Sequence, residues 1–176
     1  MKTIYLVRHC TATGQEPDAE LSDFGHQQAD ELVSFFKDKK IQHIVSSPFK
    51  RAQQSIQPTA RSKNIPMTID ERLAERTLSS GNLSNWLELL EETFTDMDMK
   101  LDGGESSREA TVRAINVLNE SPSNCVLVTH GNLMSLILKH FDDSIGFQDW
   151  KSLSNPDVYT LIIGNNESTI ERLWTK

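Results

Sequence analysis

Short apolar runs alternate along the chain with longer stretches in which apolar residues recur every three or four positions. Thr3 to Val7 is a β-rich run ending at the charged pair Arg8-His9, and it reads as a buried strand. Past a loop from Gly14 to Asp18, Ser22 precedes a helical pattern with Ala29, Leu32, Val33 and Phe36 on one face. Ile41 to Val45 predicts a second strand, closed by Ser46-Ser47-Pro48. Phe49, Ala52 and Ile56 mark a helix that stops near Asn64, before Pro66, and Met67 to Ile69 suggests a short strand. Between residues 71 and 103 only Trp86 to Phe94 looks helical, and the remainder reads as polar and irregular. Ser106 and Glu109 form a capping box that opens a helix through Leu118. Asn124 to Thr129 is the most apolar strand, followed by His130-Gly131 and a helix carrying Leu133, Leu136 and Ile137. Val158 to Ile163 and Thr169 to Trp174 flank Gly164-Asn165-Asn166 as a β-hairpin.

Strands that alternate with helices imply the α/β class. The expected architecture has three α/β/α layers, with a mostly parallel central sheet, helices on both faces and a C-terminal hairpin. No repeat or linker interrupts the pattern, so residues 1–176 are expected to form a single domain.

Composition narrows the function. The chain has 37% hydrophobic and 24% charged residues, the balance of a globular protein. A net charge of −7 disfavours nucleic-acid binding and requires any anion site to be a local basic pocket. Cys10 and Cys125 are far apart and in no metal-ligand spacing, which suits a reducing compartment. The N-terminal apolar run is too short for a signal peptide, and no stretch reaches membrane-spanning length, so a cytoplasmic location is expected.

The three strongest strands each end in reactive polar residues and run into a helix. The first delivers Arg8 and His9. The second delivers Ser46 and Ser47, with Arg51 one helical turn on, and the third delivers Thr129, His130 and Gly131. In an open parallel sheet the strand C-termini share one edge, where ligands bind. Taken singly, such a histidine is more often structural and such an arginine more often solvated. Two histidines and two arginines converging beside helix N-termini instead suit a dianionic phosphoryl group.

Those segments carry a family resemblance. Leu6-Val7-Arg8-His9 resembles the opening motif of the histidine phosphatase superfamily, the phosphoglycerate-mutase-like fold. Leu21 to Ala29 is similar to its L-[ST]-x-x-G-x-x-Q-A segment, and Ser46 to Ser55 to its S-[SP]-x-x-R-A-x-Q-[TS] segment. Leu73-Ala74-Glu75-Arg76, Gly104-Glu105-Ser106 and Val128-Thr129-His130-Gly131 continue the match in order. The resemblance implies that His9 is the nucleophile, that Arg8, Arg51 and His130 bind the phosphoryl group, and that Glu75 is the general acid and base. It implies a small phosphate ester as substrate and no cofactor or metal ion.

Two positions depart from the family pattern. Cys10 stands where many members have glycine or alanine, and it is read as a small side chain tucked under the strand. Gln15 stands where mutase-type members have asparagine; it either donates its amide to the phosphate or is plain loop. Asp96-Met97-Asp98 superficially matches the D-x-D of magnesium-dependent phosphatases, but it follows the acidic Glu91-Glu92 stretch and reads as a solvated loop. His26, His43 and His140 are expected on the surface. Two alternatives to a phosphatase remain: a phosphoglycerate-mutase-type phosphoryl transfer and an inactive phosphate-binding module. Mutases usually insert an extra segment between the acid and the second histidine, and only 54 residues separate Glu75 from His130.

Overall fold

The N-terminal apolar run lies inside the sheet. In a computed structural model, which describes residues 1–175, six strands form one sheet: β1 (Lys2–Arg8), β2 (His43–Ser46), β3 (Met67–Ile69), β4 (Cys125–Thr129), β5 (Asp157–Ile163) and β6 (Ser168–Arg172). Their order is β3-β2-β4-β1-β5-β6. The pairs β1/β4, β2/β4 and β2/β3 are parallel, while β5 runs antiparallel to both β1 and β6.

The helices are α1 (Asp23–Phe36), α2 (Lys50–Lys63), α3 (Trp86–Thr95), α4 (Ser107–Glu120), α5 (Gly131–Phe141) and α6 (Phe147–Ser152). Side chains alternate across a strand, and the core divides accordingly. Ile4, Leu6, Leu127 and Leu161 pack with buried residues of α3, α4 and α5. Val7, Ile44, Val126 and Val128 pack with those of α1 and α2 on the other face. The expected α/β layering with a C-terminal hairpin is therefore observed.

The local signals act where the chemistry requires them. Ser22 Oγ accepts the Gly25 N–H at 3.0 Å and starts α1. Ser106 Oγ accepts the Glu109 N–H at 3.1 Å, and Glu109 Oε2 accepts the Ser106 N–H at 3.0 Å, so the capping box forms. Asn64 ends α2 at φ 54°, a left-handed position that asparagine tolerates.

Several boundaries differ from expectation. β2 begins at His43, and Ile41 fills the core from the preceding loop. β6 ends at Arg172, after which the Leu173 and Trp174 N–H groups both turn back to the Val158 carbonyl. α6 was not expected, because six residues are too few to display a helical period. The Asp149 carboxylate opens it by accepting the Gly146 N–H at 2.8 Å. Residues 71–103 hold a 3-10 turn at Glu71–Leu73 as well as α3, and buried Leu73 pins that turn to the core.

The register brings the reactive strand ends together. Arg8 is opposite Thr129, and Ser46 is opposite Val128. His9, Ser47 and His130 therefore leave the sheet side by side at one edge. The ladder runs one residue further, with His9 N–H donating to Thr129 O at 3.1 Å and Ser47 N–H to Val128 O at 2.9 Å.

Candidate active site

His9 is buried, and its tautomer is legible. Nδ1 lies 2.7 Å from the carbonyl oxygen of Cys10. A carbonyl only accepts, so Nδ1 carries the hydrogen and Nε2 carries the lone pair. Arg51 Nε–H points to that lone pair at 3.3 Å, which fits the same assignment. Burial, reinforced by Arg51 and Arg8 and opposed by the Cys10 hydrogen bond, pushes the imidazole pKa down to about 3. His9 is thus neutral at physiological pH.

The turn after His9 is clamped from both sides. Asn155 Nδ2 donates to the His9 carbonyl at 2.9 Å, Gln28 Nε2 donates to Asn155 O at 2.7 Å, and Gln28 Oε1 accepts the Thr11 N–H at 2.8 Å. Cys10 N–H donates to Ser55 Oγ at 2.8 Å, and Ser55 Oγ–H donates to Arg51 O at 2.7 Å. Cys10 itself is fully buried, and burial raises its thiol pKa to about 12. It is the packed small side chain that the sequence suggested.

His130 caps the sheet edge 5.1 Å, ring centre to ring centre, from His9. Its Nε2 is 2.7 Å from Ser47 Oγ, and that oxygen already accepts the Phe49 N–H at 3.2 Å. The Phe49 N–H uses one of the two Ser47 lone pairs, and a hydroxyl hydrogen given to Nε2 leaves the hydrogen of His130 on Nδ1. Nδ1 is buried without a partner. Burial, with the charges around it, holds His130 well below the usual histidine range, so it is a neutral donor.

Two guanidinium groups flank the histidines. Arg51, on the first turn of α2, is 1% exposed and donates through Nη1 to the Gln15 and Glu16 carbonyls at 3.2 and 2.8 Å. Arg8 donates through Nη1 to Leu153 O and Ser154 O at 3.2 and 3.4 Å, and its Nε is unpartnered. The Arg8 guanidinium lies against Gly131, where a β-carbon would stand 2.8 Å from Nη2. Among the described residues neither Arg8 nor Arg51 has an ion-pair partner.

Glu75 completes the group from the loop after the 3-10 turn. Its Oε1 accepts the N–H groups of Leu133 and Arg76 at 2.9 and 2.8 Å, and Oε2 accepts that of Asn132 at 3.0 Å. The carboxylate thus sits on the N-terminus of α5, where backbone donors converge. Its loop is held by Thr129 Oγ1 donating to Leu73 O at 2.7 Å and by Arg113 Nη1 donating to Ala74 O at 2.9 Å.

A cavity of about 640 Å³ opens beside these groups, with Arg8, Gln15, Glu75, Arg76, Trp86 and Trp150 in its wall. Five of the six expected site residues, Arg8, His9, Arg51, Glu75 and His130, form one connected group. Gln15 reaches it by its backbone carbonyl, and its exposed side chain faces the cavity. Sequence reasoning missed Ser47 as the partner of His130, the supports Gln28, Ser55 and Asn155, and the wall residue Arg76. Gln28, Ser55 and Arg76 lie inside the quoted motifs, so their positions were marked but not their tasks; nothing marked Asn155. Asp98 is paired with Arg108 at 2.6 Å on the exposed flank of α4, and His26, His43 and His140 are exposed as expected.

The model of the histidine phosphatase superfamily (branch 1) matches residues 4–175. A Schizosaccharomyces pombe protein named as a phosphatase is 26% identical over 78% of this chain, which spans 55% of that protein's length. A Shigella dysenteriae protein named as a phosphoglycerate mutase is 27% identical over 74% of this chain and 70% of its own. The structure of an Entamoeba histolytica phosphoserine phosphatase in complex with 3-phosphoglyceric acid superposes with a TM-score of 0.79 at 19% identity. That match covers 100% of this chain and 98% of the other.

Proposed function

This chain belongs to the histidine phosphatase superfamily, and from that premise we propose that it hydrolyses a small phosphate monoester through a phosphohistidine formed on His9. The observation that carries the reading is the state of His9: a neutral imidazole, fixed through Nδ1, whose Nε2 lone pair meets a guanidinium without a carboxylate partner.

In the first step Nε2 attacks phosphorus, the N–P bond forms and the P–O ester bond breaks. The cationic phosphoimidazole keeps its Nδ1–H on the Cys10 carbonyl, which stabilises the developing charge. Arg8, Arg51 and the Nδ1–H of His130 face the phosphoryl oxygens, where charge is spread in the transition state. The Gln15 amide stands at the mouth as a further donor. Glu75 gives a proton to the departing alkoxide and in the second step takes one from the attacking water, which releases inorganic phosphate and restores His9. Three of its lone-pair directions are occupied by backbone N–H groups. Oε2 accepts only one of them and is the oxygen that exchanges the proton. No step calls for a metal or a cofactor, and the reaction suits a cytoplasmic protein acting on metabolites.

Hydrolysis of p-nitrophenyl phosphate tests the proposal. Inorganic phosphate should appear stoichiometrically, the rate should survive exhaustive chelation, and His9→Ala should abolish it. Transfer of the phosphoryl group to an acceptor in place of release to water would instead make the protein a mutase. Phosphate binding without turnover would make it a binding module.

A further inference from the structure

The register places Arg8 directly opposite Asp157 across the antiparallel pair β1/β5. Residues so placed share one face of the sheet with β-carbons about 5 Å apart, and opposite charges there ordinarily pair. Asp157 is fully buried. It acts on Arg8 through space: burial lowers the Arg8 pKa, opposed first by Glu75 and then by Asp157. Yet Asp157 pairs with Arg172 instead. Arg8 Nη1 donates to the Leu153 and Ser154 carbonyls at 3.2 and 3.4 Å, which leaves its remaining donors for the phosphoryl group.

The carboxylate is occupied from the edge strand β6. Arg172 stands opposite Tyr159, two positions along β5 from Asp157 and on the same face. Its Nε donates to Asp157 Oδ1 at 3.0 Å and its Nη2 to Oδ2 at 2.5 Å, a fork across both oxygens. Val158 N–H also donates to Oδ1 at 3.0 Å, and Ser154 N–H to Oδ2 at 2.9 Å. Each oxygen thus accepts two bonds, and the lone-pair sites of the carboxylate are filled. A further donor from Arg8 finds no site there. Arg172 is itself held in place, with Nη2 donating to Ser152 O at 3.1 Å and the guanidinium 5.9 Å from the centre of the Tyr159 ring.

We propose that Arg172 is a positioning residue for the phosphoryl pocket: by saturating Asp157 it keeps that carboxylate from capturing Arg8, and Arg8 stays available to the substrate. The inference rests on the reading that Arg8 binds the phosphoryl group. Without Arg172, half the acceptor sites of a buried carboxylate would be empty, which is costly. The guanidinium nearest in register is that of Arg8. Turned toward Asp157, it would be neutralised and drawn back from the pocket. Phosphate affinity is thus set in part by a residue that does not line the cavity.

The test is a double-mutant cycle on Arg172 and Asp157, read by the calorimetric Kd for inorganic phosphate and by kcat and KM for p-nitrophenyl phosphate. Arg172→Met should raise the phosphate Kd and the KM by about tenfold or more, the contribution of one hydrogen bond from a charged donor. Adding Asp157→Asn to Arg172→Met should bring both back to within about threefold of wild type, because a neutral amide does not capture Arg8. If the Asp157–Arg172 pair only braced the fold, the double variant would bind phosphate no better than the single one. Should Arg172→Met fail to fold, Arg172→Lys, which keeps the charge and loses the fork, should raise the Kd severalfold, and Asp157→Asn should again reverse it. An unchanged phosphate Kd in the Arg172 variant, or a loss that Asp157→Asn does not reverse, overturns the proposal and leaves the phosphatase reading intact. A wild-type protein that neither binds phosphate nor hydrolyses the ester overturns the reading of the pocket itself.

Discussion

Replacing Gly131 with alanine should separate catalysis from stability. A β-carbon at this position would lie 2.8 Å from Arg8 Nη2, 2.9 Å from Cζ and 3.0 Å from Nε. Favourable contacts between such atoms begin at about 3.5 Å, so the guanidinium must retreat by roughly 0.7 Å. The fold resists this only weakly, because Arg8 is anchored by two long bonds, at 3.2 and 3.4 Å. Helix propensity adds no penalty, since alanine is favoured over glycine by about 1 kcal/mol within a helix. Catalysis is more exacting, because a misplacement of about 1 Å can cost about 10²-fold. The expected outcome is kcat/KM for p-nitrophenyl phosphate lowered by about 10–100-fold, with a melting temperature unchanged or slightly raised. Steady-state kinetics and calorimetry on the same preparation decide it. An alanine variant with wild-type kcat/KM would refute the claim that Gly131 exists to seat Arg8. Joint loss of activity and several degrees of stability would show that the glycine serves the fold.

Three further outcomes follow from the same geometry. Ser47→Ala removes the hydroxyl that holds His130 in its Nδ1–H form; long-range ¹⁵N–¹H correlation spectra should show a mixed tautomer and kcat/KM should fall about tenfold, whereas an unchanged tautomer would contradict the assignment. His9 has a pKa near 3 when folded and 6.5 as its ordinary value, so in that window the unfolded chain binds a proton that the native chain does not. Stability should therefore fall as pH drops from 6.5 towards 3, by up to about 1.4 kcal/mol per unit from this histidine, with His130 adding in the same direction; denaturant midpoints should show a shallower fall in His9→Asn, and an identical fall would remove His9 as a cause. Glu75→Gln should slow alkyl phosphates by about 10²–10⁴-fold and the p-nitrophenyl phosphate burst far less, because that leaving group needs little protonation; equal slowing of both would reduce Glu75 to a positioning residue.

What the sequence revealed and what it hid divide along physical lines. Arg8, His9, Arg51 and His130 were legible because each follows an apolar run whose length and composition announce a strand, and parallel strands must end at one edge. Glu75 was legible only through its motif, since its loop is held by Arg113 and Thr129 from distant elements. Asn155 supports the His9 carbonyl across 146 positions from within a loop, and no periodicity encodes such a contact. α6 escaped because its six residues show a single apolar spacing, Phe147 to Trp150. Ser47 could be placed at the strand end, but its task depends on which atom of His130 it meets. Arg76 stood at the end of the quoted acidic segment, but its burial depends on distant elements that the segment does not encode.

Rapid-quench labelling tests the central claim most directly. Mixing the protein with ³²P-labelled substrate and stopping within one turnover should trap phosphate on the chain in an acid-labile, base-stable linkage. The label should map to His9 and vanish in His9→Ala, and it should accumulate in Glu75→Gln, where the water that cleaves phosphohistidine lacks its base. Label that persists in His9→Ala, that maps to Cys10, or that never forms while phosphate is released would contradict the account.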